Sequence, residues 1–522
     1  MTTTTTLEIH PAIGIARMGS SQEFFLGPEP DLPIETNRRD ATADQLLKRQ
    51  AARFRVYSCI RDELGALLSF EELTPDKAAI TWTVHLVNRK AAAPRFLKNN
   101  LPNTDSTFRR NGATGDDTID ADLIIDGGTR TLTGALQPKA TFQGTFKGDV
   151  VPLGEMSTDA DGRLVVVGGF GQSRSFPPGL EVDDFADNDK WHDDTSDGPV
   201  EATVHFLDGS PDKAVDKPAW VIACQPDFAP GIGNLVTLYD AFVDQAIYER
   251  NVLPAPTFRP AYDRDVLPLL NRAAAYRWVN SYGRVAHGPG GKGDFASFPS
   301  LGDPNQSSPQ RKRFVRLLRD PAGAATPFGT PAMPALFSDD YFSDTKLVLP
   351  LTRAQYRILS EWSKGQFDTT GPAPAEGEPD ALTRVALEAC AGGAFCPGIE
   401  AGRRIRDATI YAAGEVFRFD RSKLRAGELT QSMALPWQAD FALCRWEGQG
   451  PPVSHVGRGW WPAQRPDHVL KKPDDADMVS WDRKADTMAL MTDHWHELGI
   501  LLETIDGAGK QAFAEVQRTL PE

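Results

Sequence analysis

The stretch ITWTVHL at residues 80–86 decides the fold class, because its apolar side chains fall at every second position. In an extended strand this spacing puts them all on one face of a sheet. Residues 121–125, 164–167 and 202–207 are similar runs, and each is followed by a Gly-Gly or Asp-Gly pair that is typical of a tight turn. We therefore predict that residues 1–255 form a β-rich domain, built as a sandwich or a meander.

The apolar pattern changes its period near residue 235. Within residues 235–246 and 351–362, apolar residues recur at intervals of three and four, which is the spacing of an amphipathic helix. Residues 370–380 are rich in Pro and Gly and predict a surface loop. Residues 256–522 are predicted to form a mixed, more helical domain, so we expect the chain to be an α+β protein.

Charge and hydropathy make several classes of protein poor interpretations. The formal net charge of -15 disfavours binding to nucleic acid phosphates and to anionic lipid heads. The chain has no run of about 18 apolar residues, and its start lacks the basic and apolar regions of a signal peptide. We expect synthesis in the cytoplasm, with export by a route that needs no signal peptide left open, and we expect neither nucleic acid nor membrane as a partner.

Metal sites are also disfavoured by the sequence. The five cysteines are scattered and include no CxxC pair, which is typical of neither a disulfide framework nor a structural zinc site. Residues 183–197 contain seven aspartates without the order of an EF-hand, so a solvated loop is predicted. His494 and His496 would share one face of an extended segment but diverge in a helix. No third ligand accompanies them in sequence, which favours a structural role for both.

The densest unusual region comprises LPWQADFALC at residues 435–444 and RGWWPAQRPD at residues 458–467. Three of the eleven tryptophans fall here. Tryptophan and cysteine commonly fill protein cores, and Asp440 has the chemistry to cap a helix or to pair with an arginine. Composition alone therefore favours a packed core at this place.

These two segments resemble motifs of the family of L-lysine epsilon-oxidase and quinoprotein glycine oxidase. HPAIGIARMG at residues 10–19, WHDDTSDGP at residues 191–199 and GAFCPGIE at residues 393–400 resemble further motifs of that family. The resemblance thus extends over nearly the whole chain. It implies a cofactor made from the protein itself, cysteine tryptophylquinone, in which a cysteine and an oxidised tryptophan are joined by a thioether.

The resemblance also implies which residues form the site. Cys444, four residues after Asp440, is implied to be the thioether partner, and either Trp460 or Trp461 becomes the quinone. Asp440 is implied to take a proton from Cys444 during maturation, and we predict that it later acts as a base beside the quinone. Three histidines are further candidates for proton transfer or for contact with a substrate carboxylate: His455, His494 and His496.

Members of this family oxidatively deaminate a primary amine or amino acid with O2, giving an aldehyde or oxo acid, ammonia and hydrogen peroxide. In relatives a separate flavoprotein inserts oxygen into the tryptophan, and relatives form homo-oligomers. Here only 15 to 16 residues separate Cys444 from the two tryptophans. This loop is much longer in the lysine oxidase, so the known substrates are not carried over. The alternatives are a non-catalytic relative that serves as a binding or structural protein and, ranked last, a metal-dependent hydrolase.

Overall fold

The structure is a computed structural model that describes residues 3–63, 65–96, 108–112, 121–253, 259–288, 293, 298–306, 308–323, 333–334, 336–337, 350–371, 377–392, 398–443, 459–460 and 462–522. Only the backbone is described at residues 299, 337, 459 and 460.

The first part of the chain consists mainly of strands. They are β1 (Thr4–His10), β2 (Ile13–Arg17), β3 (Phe24–Leu26), β4 (Arg49–Arg61), β5 (Leu67–Glu72), β6 (Ala78–Asn88), β7 (Ile125–Thr133), β8 (Ala140–Phe146), β9 (Asp149–Thr158), β10 (Leu164–Gly168), β11 (Ser173–Ser175), β12 (Trp191–Asp193), β13 (Ser196–Phe206), β14 (Lys213–Ala214) and β15 (Ala219–Cys224).

The second part is mixed. Its helices are α1 (Leu238–Tyr248), α2 (Leu267–Ala275), α3 (Ser281–His287), α4 (Pro309–Leu317), α5 (Arg353–Ser363), α6 (Pro379–Glu388), α7 (Trp437–Leu443) and α8 (Met488–His494). Its strands are β16 (Leu336–Phe337), β17 (Gly459–Trp460), β18 (His468–Val469), β19 (Val479–Ser480), β20 (Ile500–Ile505) and β21 (Gln511–Val516). Across the described ranges, no helix is both long and apolar enough to cross a membrane.

Thirteen of the strands in the first part form one sheet. Its main path runs β7-β6-β13-β15-β2-β4-β10-β9-β8, and β1, β3, β5 and β14 attach at its sides. The pairs are antiparallel except for β15 with β2 and β3 with β4. The two ends of the path also touch, since Arg130 Nε on β7 donates to the Thr141 carbonyl on β8 at 2.8 Å. The sheet therefore curls into a barrel-like wall.

Alternation along the strands divides the apolar side chains between the two faces of this wall. On β15, Val221 and Ala223 belong to the inner core, whereas Trp220 and Ile222 pack outside against α1 and α6. The alternation predicted for residues 80–86 is confirmed, because Ile80, Trp82, Val84 and Leu86 all belong to the inner core. A separate core of the second part contains four tryptophans, Trp362, Trp437, Trp481 and Trp495.

The predicted α+β class is confirmed, and so are the helices expected in residues 235–246 and 351–362. The strand predicted at residues 121–125 was wrong in its position, because Ala121–Leu123 form a 3-10 turn and β7 begins only at Ile125. Gly127 and Gly128 consequently lie inside β7 instead of ending a strand. A Cβ at Gly127 would lie 2.9 Å from Phe142 Cβ on β8. Glycine is thus needed there for close approach of two strands and not for a turn. The domain limits at residue 255 stay a prediction, and residues 372–376 of the predicted surface loop lie outside the described residues.

Candidate active site

Helix α7 carries Asp440, the carboxylate that the resemblance singles out. The helix begins at Trp437, whose backbone N–H donates to Asp193 Oδ2 at 3.2 Å. A carboxylate at a helix N-terminus is favourable, because the free N–H groups there carry partial positive charge. Gln438 Nε2 donates to the Gly171 carbonyl, and Gln438 Oε1 accepts from Ser173 Oγ. The first turn of α7 is therefore fixed by polar contacts with the β-rich part of the chain.

A buried group of opposite charges lies beside α7. Lys90 Nζ is 2.5 Å from Asp193 Oδ2, and neither side chain has any exposed surface. Asp440 is 1% exposed and lies close enough to Lys90 to interact with its charge. Burial lowers the pKa of Lys90, and the carboxylates of Asp193 and Asp440 oppose this effect.

The second half of the acidic segment 183–197 is buried, so the predicted solvated loop is wrong there. Asp193, Asp194 and Asp197 are each 0% exposed. Asp197 accepts hydrogen bonds from Trp220 Nε1 at 2.9 Å and from Thr430 Oγ1 at 2.8 Å. Burial raises the pKa of Asp194 to about 7 and that of Asp197 to about 6. Removed from water, an acid is stable only when it is paired, hydrogen-bonded or protonated, and these three acids meet that condition in different ways.

The two ends of the loop that separates the implied crosslink partners lie in contact. Arg465 Nε donates to the Phe441 carbonyl at 2.7 Å, and Arg465 Nη2 donates to Asp482 Oδ2 at 2.7 Å. All three residues are buried. Phe441 precedes Cys444 by three residues, and Arg465 follows Trp461 by four. The fold therefore returns the chain after this loop to the place where α7 ends.

A second buried contact joins other segments of the resemblance. Arg17 Nη2 lies 2.7 Å from Glu400 Oε1, and both side chains are buried. Gln464 Nε2 donates to the same Glu400 oxygen at 3.2 Å. These three residues come from the first, third and last of the five segments that carry the family resemblance. Through Asp193 and Trp437, the other two segments also meet, so all five contribute to buried polar contacts around α7 and the segment after the loop.

The structure describes only part of the predicted site set. Cys444, His455 and Trp461 lie outside the described residues, and Trp460 is described by its backbone alone, paired through β17 with Phe337 of β16. Asp440 is the member of this set that lies buried beside Lys90.

The two remaining histidines lie at the end of α8. His494 ends the helix and His496 lies in the 3-10 turn that follows, so the segment is not extended. His494 Nδ1 lies 3.4 Å from Glu497 Oε1. Burial lowers the pKa of His496, and its backbone carbonyl accepts a hydrogen bond from Arg39. Trp495 between them packs edge-on against Trp437 of α7, with ring centres 5.2 Å apart. The histidines thus flank a residue that contacts α7.

One group among the described residues has the geometry to hold a metal ion, and it does not include these histidines. It consists of Glu8, His10 and Cys59. Glu8 already binds the Arg61 guanidinium at 2.8 Å and the Lys217 ammonium at 3.2 Å. Neighbouring cations repel a metal ion, so this arrangement favours an ion-pair cluster. The hydrolase interpretation gains no support.

Sequence reasoning missed Lys90. No motif surrounds it, and the only local signal is a lysine followed by three alanines at the end of an alternating strand. Its partner Asp193 is 103 positions away.

Comparison with known proteins places this fold and these motifs in one family. The profile of the L-lysine epsilon oxidase N-terminal domain matches residues 10–223, and that of the L-lysine epsilon oxidase C-terminal domain matches residues 334–467. Together they span about two thirds of the chain, including Lys90, Asp193, Asp440 and both tryptophans. The chain belongs to the L-lysine epsilon-oxidase family.

Individual relatives agree with this assignment. An L-lysine 6-oxidase of Marinomonas mediterranea is 28% identical over 529 residues, which cover 84% of this chain and 71% of that protein. The solved structure of the epsilon-lysine oxidase from Marinomonas mediterranea has a TM-score of 0.74 at 23% identity, covering 98% of this chain and 95% of that chain. A second structure of the L-Lys epsilon-oxidase from this organism has a TM-score of 0.73 at 22% identity, with the same coverage. At these identities the solved structures show a shared fold.

Proposed function

We propose that the chain is an oxidase of a primary amine or amino acid that uses a cysteine tryptophylquinone formed from Cys444 and either Trp460 or Trp461. In the overall reaction the amine, O2 and water give an aldehyde or oxo acid, ammonia and hydrogen peroxide. Two electrons leave the carbon that bears nitrogen, and O2 receives them. Family membership supports the oxidase, and the Asp440 to Cys444 spacing supports the particular cofactor.

The observation that carries this proposal is the contact between Phe441 and Arg465. A thioether requires a sulfur and an indole carbon within bonding distance, and the contact brings the chain on either side of the loop to one place. The free-energy cost of closing a loop of about 15 residues is small compared with the free energy gained from the covalent bond that follows. The described residues therefore fit the implied cofactor.

Such a quinone supplies an electrophilic carbonyl that reacts with a primary amine. Asp440 is proposed first to accept the thiol proton of Cys444, which would let the thiolate add to the ring after the flavoprotein has oxidised it, with the two electrons released by C–S bond formation passing to the same oxidant. Asp440 would later accept a proton from the substrate carbon. Lys90 is proposed as a positioning residue, because its buried ammonium attracts the Asp440 side chain and so helps to hold it in place. Burial of this group also keeps bulk water away from the proton that is moved.

We further propose that a separate flavoprotein inserts the two oxygens, that the enzyme forms homo-oligomers, and that it is made in the cytoplasm. The first of these follows from the chemistry. Asp440 can move a proton, but inserting oxygen into an indole requires an oxidant and an activating cofactor that amino-acid side chains do not supply.

The decisive experiment is the mass of the peptides that contain Cys444, Trp460 and Trp461, after co-expression with the neighbouring flavoprotein. Two added oxygens and four lost hydrogens give an increase of about 28 Da over the separate peptides. Fragmentation identifies which tryptophan is used. Unmodified peptides from protein matured with an active flavoprotein would contradict the proposal and favour the non-catalytic relative.

A variant sharpens this test. Asp440→Asn keeps the shape of the side chain but cannot accept the thiol proton, so we expect at least a tenfold lower crosslinked fraction. Asp194→Asn is the matched control, because it makes the same substitution at another fully buried acid in the segment that contacts α7. Equal crosslinking in both variants would remove Asp440 from the maturation step.

A further inference from the structure

A cavity of about 110 Å³ lies between α2, α3, α4, α5 and β16. Building on the proposed function, we propose that it binds the hydrocarbon tail of the substrate, which makes the preferred substrate an apolar primary amine and not a charged amino acid such as lysine.

The wall of the cavity is chemically suited to hydrocarbon. Among the described residues that line it, none is Asp, Glu, Lys or Arg. Leu269, Phe314, Leu336 and Leu359 contribute apolar side chains from four different elements. An amino-acid carboxylate buried here would lose its water without gaining a Lys or Arg partner from the described lining residues, which is unfavourable. An alkyl or phenyl group has no charge to desolvate, and its burial is favoured by the hydrophobic effect.

Two polar side chains on the wall are hydrogen-bonded within the protein. Asn280 Nδ2 donates to Asp467 Oδ2 at 2.7 Å, and Asn280 Oδ1 accepts from the Tyr282 backbone N–H at 2.9 Å. His287 Nδ1 is paired with the Gly293 carbonyl at 2.8 Å. These hydrogen bonds fix part of the wall, and most of the other described lining residues are apolar.

The cavity adjoins the segment that contains both candidate tryptophans. On one side, Leu336 of β16 is paired with Gly459, and the next pair is Phe337 with Trp460. On the other side, Asn280 binds Asp467. Gly459 and Asp467, on either side of the tryptophan pair, therefore both contact the cavity wall. An amine bound with its tail in the cavity would have its nitrogen near this segment, where the proposed quinone lies.

The size of the cavity limits the tail. An apolar cavity of about 150 Å³ accepts benzene, so this smaller one suits an alkyl chain of roughly four carbons. The chemistry is unchanged by this choice. The carbon next to nitrogen is oxidised by two electrons to the aldehyde, water supplies its oxygen, ammonia leaves, and O2 becomes hydrogen peroxide.

The test uses the full chain matured with its flavoprotein, with the quinone verified by peptide mass. Hydrogen peroxide production is measured with n-alkylamines from ethylamine to hexylamine, benzylamine, L-lysine and glycine. We expect kcat/KM to rise about fourfold for each added methylene until the cavity is full, which is the factor for burying one CH2 group. A flat alkylamine series, or a preference for L-lysine or glycine, would overturn the inference while leaving the proposed function intact. Absence of the quinone would overturn both.

A pair of variants on one helix adds a second measure. Ala273→Leu on α2 places three more carbons in the cavity, and we expect it to lower the hexylamine-to-ethylamine ratio of kcat/KM at least tenfold. Ala275→Leu makes the same substitution two positions along, at a half-buried residue that does not line the cavity. The inference fails if both variants leave the ratio unchanged. If Ala273→Leu does not fold, the alkylamine series with the unaltered chain decides alone.

Discussion

Replacing Lys90 with methionine is the most direct test of the buried charges beside α7. Removing one partner of a buried ion pair costs about 3–5 kcal/mol, because the other charge stays buried without its counter-ion. After Lys90→Met, Asp193 would keep donors from Asn88 Nδ2 at 3.0 Å, Thr195 Oγ1 at 2.6 Å and the Trp437 N–H at 3.2 Å. Since these three bonds offset part of the loss, we expect the lower end of that range, about 3 kcal/mol.

The assay is urea unfolding of the unmatured chain, followed by tryptophan fluorescence. The exposed pair of Lys213 and Asp216, 2.7 Å apart with side chains 47% and 36% exposed, provides the matched control. Lys213→Met should change the free energy of unfolding by less than about 1 kcal/mol. The double variant Lys90→Met with Asp193→Asn also removes the unpaired Asp193 charge, so it should recover most of the lost free energy of unfolding. A loss below about 1 kcal/mol for Lys90→Met, or a double variant as unstable as the single one, would refute this account.

Two more variants test the surroundings of α7. Burial raises the pKa of Asp194 to about 7 from an ordinary value of 3.8, so the folded chain holds a proton that the unfolded chain releases, and this acid makes stability fall as pH rises from about 4 to 7. Asp194→Asn should abolish that fall, which is at most about 1.4 kcal/mol per pH unit. The free energies of unfolding at pH 5 and pH 8 should therefore differ less in the variant than in the unaltered chain. An equal difference in both proteins would contradict the raised pKa of Asp194. Arg465→Met removes the cation beside the buried Asp482 and the donor to the Phe441 carbonyl. We expect it to lower the free energy of unfolding in urea by about 3 kcal/mol and to lower the crosslinked fraction measured by peptide mass. An undiminished crosslinked fraction would show that this contact is not needed for maturation.

Local patterns predicted the parts of the fold that local physics determines. The alternation at residues 80–86 and the helical spacing at 351–362 succeeded because each depends only on which face of its own element is buried. The acidic segment failed because its partners are distant, with Asp197 bonded to Thr430 across 233 positions. A run of aspartates forms a solvated loop only when no distant segment supplies hydrogen-bond donors or cations to it.

At the candidate site, too, some residues could be found from local sequence and others depend on distant contacts. The resemblance singled out Asp440, and the structure places it in a buried charged group whose third member, Lys90, has no signature in sequence. Gly127 is a similar case, because its sequence context is typical of a turn but it lies where two strands approach closely. Such contacts are properties of tertiary packing, which periodicity does not encode.

The contact between Arg465 and Phe441 has a consequence for the order of events in biogenesis. An unfolded chain has no such clamp, and its thiol and indole meet only as the ends of a random coil do. In the folded chain the contact holds Phe441 and Arg465 together, so the proposed crosslink would form between segments that are already close. We therefore expect the proposed flavoprotein to modify the folded chain and to leave a nascent or denatured chain unmodified, so that oxidative maturation would depend on correct folding.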